Sequence, residues 1–225
     1  MANNKTIKRV GVFYHPQLTA AQEFASELER LLLRSDVSAW TKSAWADHDD
    51  PKTVEDRDLL ISVGGDGTIL RVAHLALEDE IPILGINMGK VGFMSELSPT
   101  EAKSKLPEVL AGLGRLERRA TLQAHINSPT SNNSDAKKTS PFFALNDVVV
   151  ARGKVARVIR IEARIDGDLF TTYKGDGVIV ASATGSTSYC MAAGGPILNP
   201  QSNDFILNPV TSHLTISNPL VLPPS

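Results

Sequence analysis

Short apolar runs and helical stripes alternate through the first half of the chain. Arg9 to Tyr14 (RVGVFY) is a β-rich run, stopped by His15-Pro16. Phe24, Leu28, Leu31 and Leu32 then recur at the spacing of one helix face, which predicts a helix. Leu59 to Val63 (LLISV) is an unbroken apolar run, as expected for a strand buried on both faces. Thr68 to Leu77 (TILRVAHLAL) predicts a second helix, and Ile81 to Ile86 (IPILGI) another buried strand. Ser98-Pro99-Thr100-Glu101 opens a further helix, with Pro99 suited to the first helical position. Strand and helix alternating in this way predict a parallel, doubly wound, Rossmann-like α/β domain.

The period then changes. Val158 to Ile165 (VIRIEARI) alternates apolar and charged residues, the pattern of a strand with one wet face. Asp166-Gly167 followed by Asp168 to Tyr173 (DLFTTY) is a hairpin signal. Thr121 to Ile126, Phe142 to Val150 and Val178 to Ala181 are further strand candidates. Between the first two lies Ser128 to Pro141, a polar, turn-rich stretch read as a surface loop joining two strands. The boundary is therefore placed near Glu117, giving an α/β domain over 1–117 and a β-rich domain, mostly antiparallel, over 118–225. Phe205 to Leu207, Leu214 to Ile216 and Leu220 to Leu222 look like strands, followed only by Pro223-Pro224-Ser225. A β domain that stops there leaves an edge uncovered, so C-terminal strands are expected to be missing. No internal repeat is visible.

Composition narrows the class without naming a function. The 225 residues are 42% hydrophobic and 21% charged, enough for a sizeable core. A net charge of −2 gives no general reason to expect nucleic acid or an anionic membrane as partner. Cys190 is the single cysteine and cannot form an internal disulfide, which suits a reducing cytoplasm. The start MANNKTIKRV lacks the apolar core of a signal peptide, and no run of about 18 apolar residues exists to span a bilayer. The expectation is a cytoplasmic globular protein.

Candidate chemistry begins at Val63-Gly64-Gly65-Asp66-Gly67-Thr68. Glycines after a buried strand usually let backbone amides close around phosphate, yet a carboxylate sits in their middle. The dinucleotide fingerprint fails, because Leu70 stands where its last glycine belongs. The P-loop pattern fails too: Gly85 to Val91 (GINMGKV) is one residue short and lacks the magnesium-binding hydroxyl. Ligands in open α/β sheets nevertheless sit outside the carboxyl ends of strands, which is where this loop falls. The Gly67 and Thr68 amides would then lie at a helix N-terminus, open to phosphate. Asp66 could take a proton from a hydroxyl or hold a metal. It could also merely cap the helix. Three surrounding glycines favour chemistry, since a cap needs only one flexible neighbour.

Two further segments add to this loop. Lys174-Gly175-Asp176-Gly177 precedes a strand, and Ser182 to Tyr189 (SATGSTSY) then supplies hydroxyls with little bulk, suited to close approach of a sugar or to a plain Ser/Thr-rich turn. Asn146-Asp147 interrupts the apolar run Phe142 to Val150. Burying two polar groups there costs free energy unless a ligand or a neighbouring loop pairs with them.

Taken in order, Gly64 to Thr68, Gly85 to Phe93, Asn146-Asp147 and Gly175 through Pro196 give the chain a close resemblance to the NAD kinases. The glycine-aspartate loop alone is weakly specific; the pattern GDG-x3-A-x-A-T-G-S-T-x-Y with AGGP behind it is highly specific in combination. The resemblance implies an α/β domain joined to a β-sandwich. It implies phosphoryl transfer from ATP, or polyphosphate, with Mg²⁺, to the 2′-hydroxyl of the adenosine ribose of NAD. Asp66 would accept the hydroxyl proton. Gly67 and Arg71 would face the dinucleotide, and Phe93 would stack near the adenine. Asn146 and Asp147 would hold ribose hydroxyls, with Arg157, Lys174 and Asp176 lining the same pocket. Thr187, Ser188, Tyr189, Cys190, Met191 and Ala192 would close over the dinucleotide, from the same or a neighbouring subunit of a homodimer or homotetramer. No protein metal ligand is assigned. Ala183 stands where many members have Pro, and Ser188 where many have Ala; family members usually continue for several more strands.

Two other readings share part of these motifs. One is a lipid or sugar kinase with only the glycine-aspartate loop in common; the other is a catalytically inactive NAD-binding fragment. Asp47-His48-Asp49-Asp50 reads as a solvated loop, and His74 as a packing residue. Arg152, Lys154, Arg157, Arg160 and Arg164 read as one solvated sheet face.

Overall fold

A computed structural model describes residues 6–46, 54–77, 79–89, 92–127, 141–153, 157–211 and 218–224. The chain divides into two compact units, Met1–Leu116 and Glu117–Ser225.

The first unit contains β1 (Arg9–Tyr14), α1 (Thr19–Arg34), β2 (Ser38–Ser43), β3 (Leu59–Gly64), α2 (Asp66–Ala76), β4 (Ile83–Asn87) and α3 (Pro99–Leu110). Its sheet has the order β2-β1-β3-β4, all parallel, with Val12 paired to Thr41 on β2 and to Ile61 on β3. Every residue of β3 is buried, as its unbroken apolar run requires. Val10, Val12, Ile61 and Val63 pack on one face against Phe24, Leu28 and Leu32 of α1 and Leu106 of α3. Phe13 and Leu60 pack on the other face against Val72 and Ala76 of α2. Helices thus cover both faces, and each fully buried Leu or Ile contributes about 1.5–3 kcal/mol relative to exposure. α3 starts where the sequence places it. Ser98 Oγ accepts the Glu101 N–H at 3.3 Å, while the Glu101 carboxylate accepts the Ser98 N–H at 2.9 Å.

The second unit contains β5 (Leu122–Ala124), β6 (Phe142–Ala144), β7 (Asp147–Ala151), β8 (Ile159–Ile165), β9 (Asp168–Gly175), β10 (Gly177–Ser182), a 3-10 turn (Thr184–Thr187), α4 (Tyr189–Ala192), β11 (Phe205–Val210) and β12 (Leu220–Leu222). An antiparallel sheet has the order β12-β11-β10-β7, and β5 pairs with β6. The hairpin β8-β9 turns at Asp166 and Gly167, whose φ values of 52° and 91° are both left-handed. Glycine, and to a lesser degree aspartate, tolerate that conformation, which matches the strand twist. Alternation along β10 decides the layers. Val178 and Val180 meet Tyr173, Ile161 and Leu207, so the hairpin covers one face. Ile179 and Ala181 meet Ile206, Cys190 and Leu198 on the other.

Two expectations change. Phe142 to Val150 is not one strand; it breaks at Leu145-Asn146, and its halves β6 and β7 join different sheets. β2 forms without having been anticipated. The stretches 47–50, 90–91, 128–140 and 214–216, read above as part of loops or strands, lie outside the described residues.

Candidate active site

In the first unit, β1 continues through α1 to β2 on one side, and β3 through α2 to β4 on the other. The strand order reverses between β1 and β3, and ligands of such sheets bind outside the carboxyl ends at that point. His15 follows β1 there and donates its backbone N–H to Val63 O at 3.0 Å. The glycine loop follows β3, and the Met88 N–H beyond β4 donates to Gly64 O at 3.1 Å.

Asp66 is the first residue of α2 and does not cap it; the N-cap is Gly65, without a side-chain bond. Its carboxylate reaches a different loop. Oδ2 accepts the Phe93 N–H at 2.9 Å and Oδ1 the Met94 N–H at 3.3 Å. Gly92 is explained by this approach, because a Cβ there would collide with the Asp66 carboxylate. Each carboxylate oxygen has two acceptor sites, so both keep capacity for a ligand hydroxyl.

The remaining residues of this loop are less uniform. Gly67 is exposed at the start of α2. The Thr68 N–H, expected to be open to phosphate, instead donates to Gly65 O at 2.9 Å, because the first turn of α2 closes on itself. Arg71 is exposed, with its guanidinium carbon 4.4 Å from the ring centroid of Trp45. Phe93 holds its ring in solvent, 69% exposed. His74, expected as a packing residue, is exposed, since Ile69, Val72 and Ala76 already supply the buried face of α2.

In the second unit, Asn146 and Asp147 stand at the entry to β7, fastened to the turn that follows β10. The Ser182 N–H donates to Asn146 O at 2.8 Å. Ser182 Oγ donates to Leu145 O at 2.5 Å and accepts the Gly185 N–H at 3.1 Å. Gly185 must lack a side chain, as a Cβ would overlap the Asn146 carbonyl. Asn146 Oδ1 is buried and has no hydrogen-bond partner among the described residues. Burial also pushes the Asp147 carboxyl above the usual carboxylate range.

The segment expected to close over a dinucleotide is sided. Tyr189 and Met191 are 47% and 42% exposed, and Ala192 is exposed beside them. Thr187 and Ser188 are partly exposed at the end of the 3-10 turn. Cys190 points the other way: its side chain is fully buried among Ile179, Ala181 and Ile206. That burial pushes its thiol pKa up, opposed by the Asn208 amide and reinforced by the charge of Asp147. The sequence reading missed Asn208, a buried amide on β11 that donates to Cys190 O at 3.2 Å and Ala193 O at 3.4 Å. It fixes α4 on the sheet, and its only signal was a polar residue inside the apolar run FILNPV.

The charged residues lie further along the strands. Lys174 stands outward on β9, cross-strand from Arg160 on β8, and Arg157 is exposed just before β8. Asp176 is paired with Arg152, 3.2 Å between Oδ1 and Nε. Among the described residues, no group of three or more His, Cys, Asp or Glu could hold a metal ion. Nor is any helix among them long and apolar enough to cross a membrane.

A doubly wound unit with an oriented carboxylate at its switch point, and an antiparallel unit with a buried acceptor unpaired among the described residues, place the chain in the two-unit α/β-plus-β class. Known proteins narrow that class. Residues 4–113 match the ATP-NAD kinase N-terminal domain and residues 145–225 the ATP-NAD kinase C-terminal domain. An NAD kinase of Dehalococcoides mccartyi is 49% identical over 217 residues, covering 96% of this chain and 74% of the relative. One from Chloroflexus aurantiacus is 38% identical over 216 residues, covering 96% and 76%. Among solved structures, an NAD kinase from Archaeoglobus fulgidus in complex with ATP superposes with a TM-score of 0.74 at 30% identity, covering 96% of this chain and 77% of that one. Yeast NADH kinase complexed with NADH shares the fold, with a TM-score of 0.84 at 24% identity, covering 97% and 70%. The chain belongs to the NAD kinase family, whose members are phosphotransferases acting on NAD.

Proposed function

We propose that this chain transfers the terminal phosphoryl group of ATP to the 2′-hydroxyl of the adenosine ribose of NAD, giving NADP. The observation that carries the reading is the Asp66 carboxylate, held by the Phe93 and Met94 amides at the switch point of the sheet. In the step itself, the ribose 2′-oxygen bonds to the γ-phosphorus while the bridging oxygen to the β-phosphorus departs with ADP. The hydroxyl proton passes to Asp66, and general-base help of this kind contributes about 10²–10⁴-fold. Mg²⁺ travels with ATP as part of that substrate, held by phosphate oxygens and water.

The other residues take binding roles. The buried Asn146 Oδ1, without a partner among the described residues, accepts a ribose hydroxyl, as does the Asp147 carboxylate beside it. Gly67 lets the dinucleotide come close to α2, and Arg71 meets its phosphates. The exposed Phe93 ring stacks on adenine. Arg157 and Lys174 supply positive charge, and Asp176, paired with Arg152, lines the same pocket. Thr187, Ser188, Tyr189, Met191 and Ala192 form the cover, with the buried Cys190 anchoring it from within. A boundary at residue 117, residence in the cytoplasm and assembly as a homodimer or homotetramer belong to the same reading. The test is NADP formation from NAD, ATP and Mg²⁺, followed through an NADP-specific dehydrogenase; absence of product from the intact chain contradicts it.

A further inference from the structure

We propose that Trp45 is a positioning residue for Arg71, holding the guanidinium edge-forward for a dinucleotide phosphate; the inference rests on the reading of Arg71 given under Proposed function. The backbone that carries the indole is held in place. Ala44, its neighbour, is buried and donates its N–H to Tyr14 O at 2.9 Å, while the Trp45 N–H donates to Ser43 Oγ at 3.1 Å. The ring thus projects from the carboxyl end of β2 with 38% of the residue still exposed. His15, at the end of β1, leans on it with ring centroids 4.4 Å apart at 54°. Its own orientation is set by the Gln17 N–H, which donates to His15 Nδ1 at 3.3 Å.

Arg71 approaches this shelf from α2, its guanidinium carbon 4.4 Å from the ring centroid. It lies five residues beyond Asp66 on the same helix, about 7.5 Å along the axis. An unsupported arginine at an exposed helix position samples many rotamers, and a ligand must freeze them. A guanidinium seated over the indole face has fewer rotamers open to it, and one lying parallel to the ring keeps its in-plane N–H fork available, the geometry that grips phosphate oxygens in pairs. The ring face also attracts the cation without competing for its hydrogen bonds. A lysine at this position would retain the charge and lose the fork.

The test is a double-mutant cycle on NAD binding by the intact chain, read by calorimetry, with thermal midpoints recorded for each variant. Trp45→Ala is expected to weaken NAD binding about fivefold, a typical value for a half-exposed cation–π contact, with little change in thermal midpoint. Trp45→Phe, which keeps a ring, restores most of that loss. In an Arg71→Ala background, Trp45→Ala has no further effect, because there is no guanidinium left to position. Binding unchanged by Trp45→Ala while Arg71→Ala weakens it overturns this inference alone, as does the same loss in both backgrounds. Binding unchanged by Arg71→Ala, or no NAD binding by the unaltered chain, overturns the underlying reading of the site.

Discussion

Asp66, two residues after β3 in the first unit, and Asn146, two residues after β6 in the second, are both polar, and their surroundings treat them in opposite ways. Asp66 has both oxygens engaged by amides of a loop 27 and 28 residues further along the chain. Asn146 has its backbone carbonyl fastened to Ser182 while its side-chain oxygen is buried with no partner among the described residues. The first arrangement fixes direction before any ligand arrives, as a group that must meet a reacting proton requires. The second leaves a desolvated acceptor whose cost, about 1–3 kcal/mol, is offset when a ligand donates to it. On the proposed roles, reaction geometry is built in and binding free energy is held open.

Disturbing the fixed side is expected to have the larger effect. Gly92→Ala places a methyl group against the Asp66 carboxylate, so either the carboxylate or its loop must shift. A displacement on the order of 1 Å at a reacting group can lower turnover about 100-fold. Steady-state kinetics on the variant should show that fall in kcat, with KM for NAD changed far less. Disturbing the open side acts on affinity instead. Asn146→Ala removes the unsatisfied oxygen, so NAD binding weakens roughly tenfold by calorimetry while thermal stability holds or rises slightly. An equal fall in kcat with unchanged affinity would place Asn146 on the reaction side of the comparison.

Asp147 sharpens the contrast through pH. Burial raises its carboxyl above the ordinary value, so the folded state binds the proton more tightly than the unfolded chain. Below the ordinary aspartate range both states are protonated and the residue contributes nothing. As pH rises through the ordinary and then the raised value, burying the charge lowers stability, and the full penalty remains above it. Asp147→Asn should therefore match the parent in acid and melt at higher temperature near neutrality. Thermal midpoints across a pH series check the sign; a variant less stable at neutral pH would show that the carboxylate has partners stabilising its charge.

What the sequence made legible follows from the range of the interactions involved. β1, β3, β4, the presence of α2 and the start of α3 were readable because apolar runs, helix spacing and the Ser98–Glu101 capping pair are local, although α2 begins at Asp66 and not at Thr68. The β8-β9 turn was readable because few residues other than Asp and Gly accept left-handed backbone. β2 was not, since SAWTKS runs at the edge of the sheet and carries no continuous apolar signature. The break between β6 and β7 was hidden because apolar residues continue on both sides of Leu145-Asn146. Among the candidate residues, the types at Asp66, Asn146 and Asp147 were visible, but their surroundings were not. Phe93 and Met94 supply backbone amides, which leave no trace in sequence, and Asn208 and Trp45 act only through contacts made across the fold. Cys190 shows the converse: its neighbours in sequence are exposed, and only the packing of α4 on β10 and β11 turns it inward.

In the proposed reaction, Asp66 is oriented to take the proton of the acceptor hydroxyl. The most direct measurement is NADP formation by Asp66→Asn in parallel with calorimetric NAD binding. Turnover is expected to fall at least about 100-fold with NAD affinity within a few-fold of the parent, because the neutral amide keeps the shape but cannot accept the proton. Undiminished turnover in that variant, with NAD still bound, would contradict it.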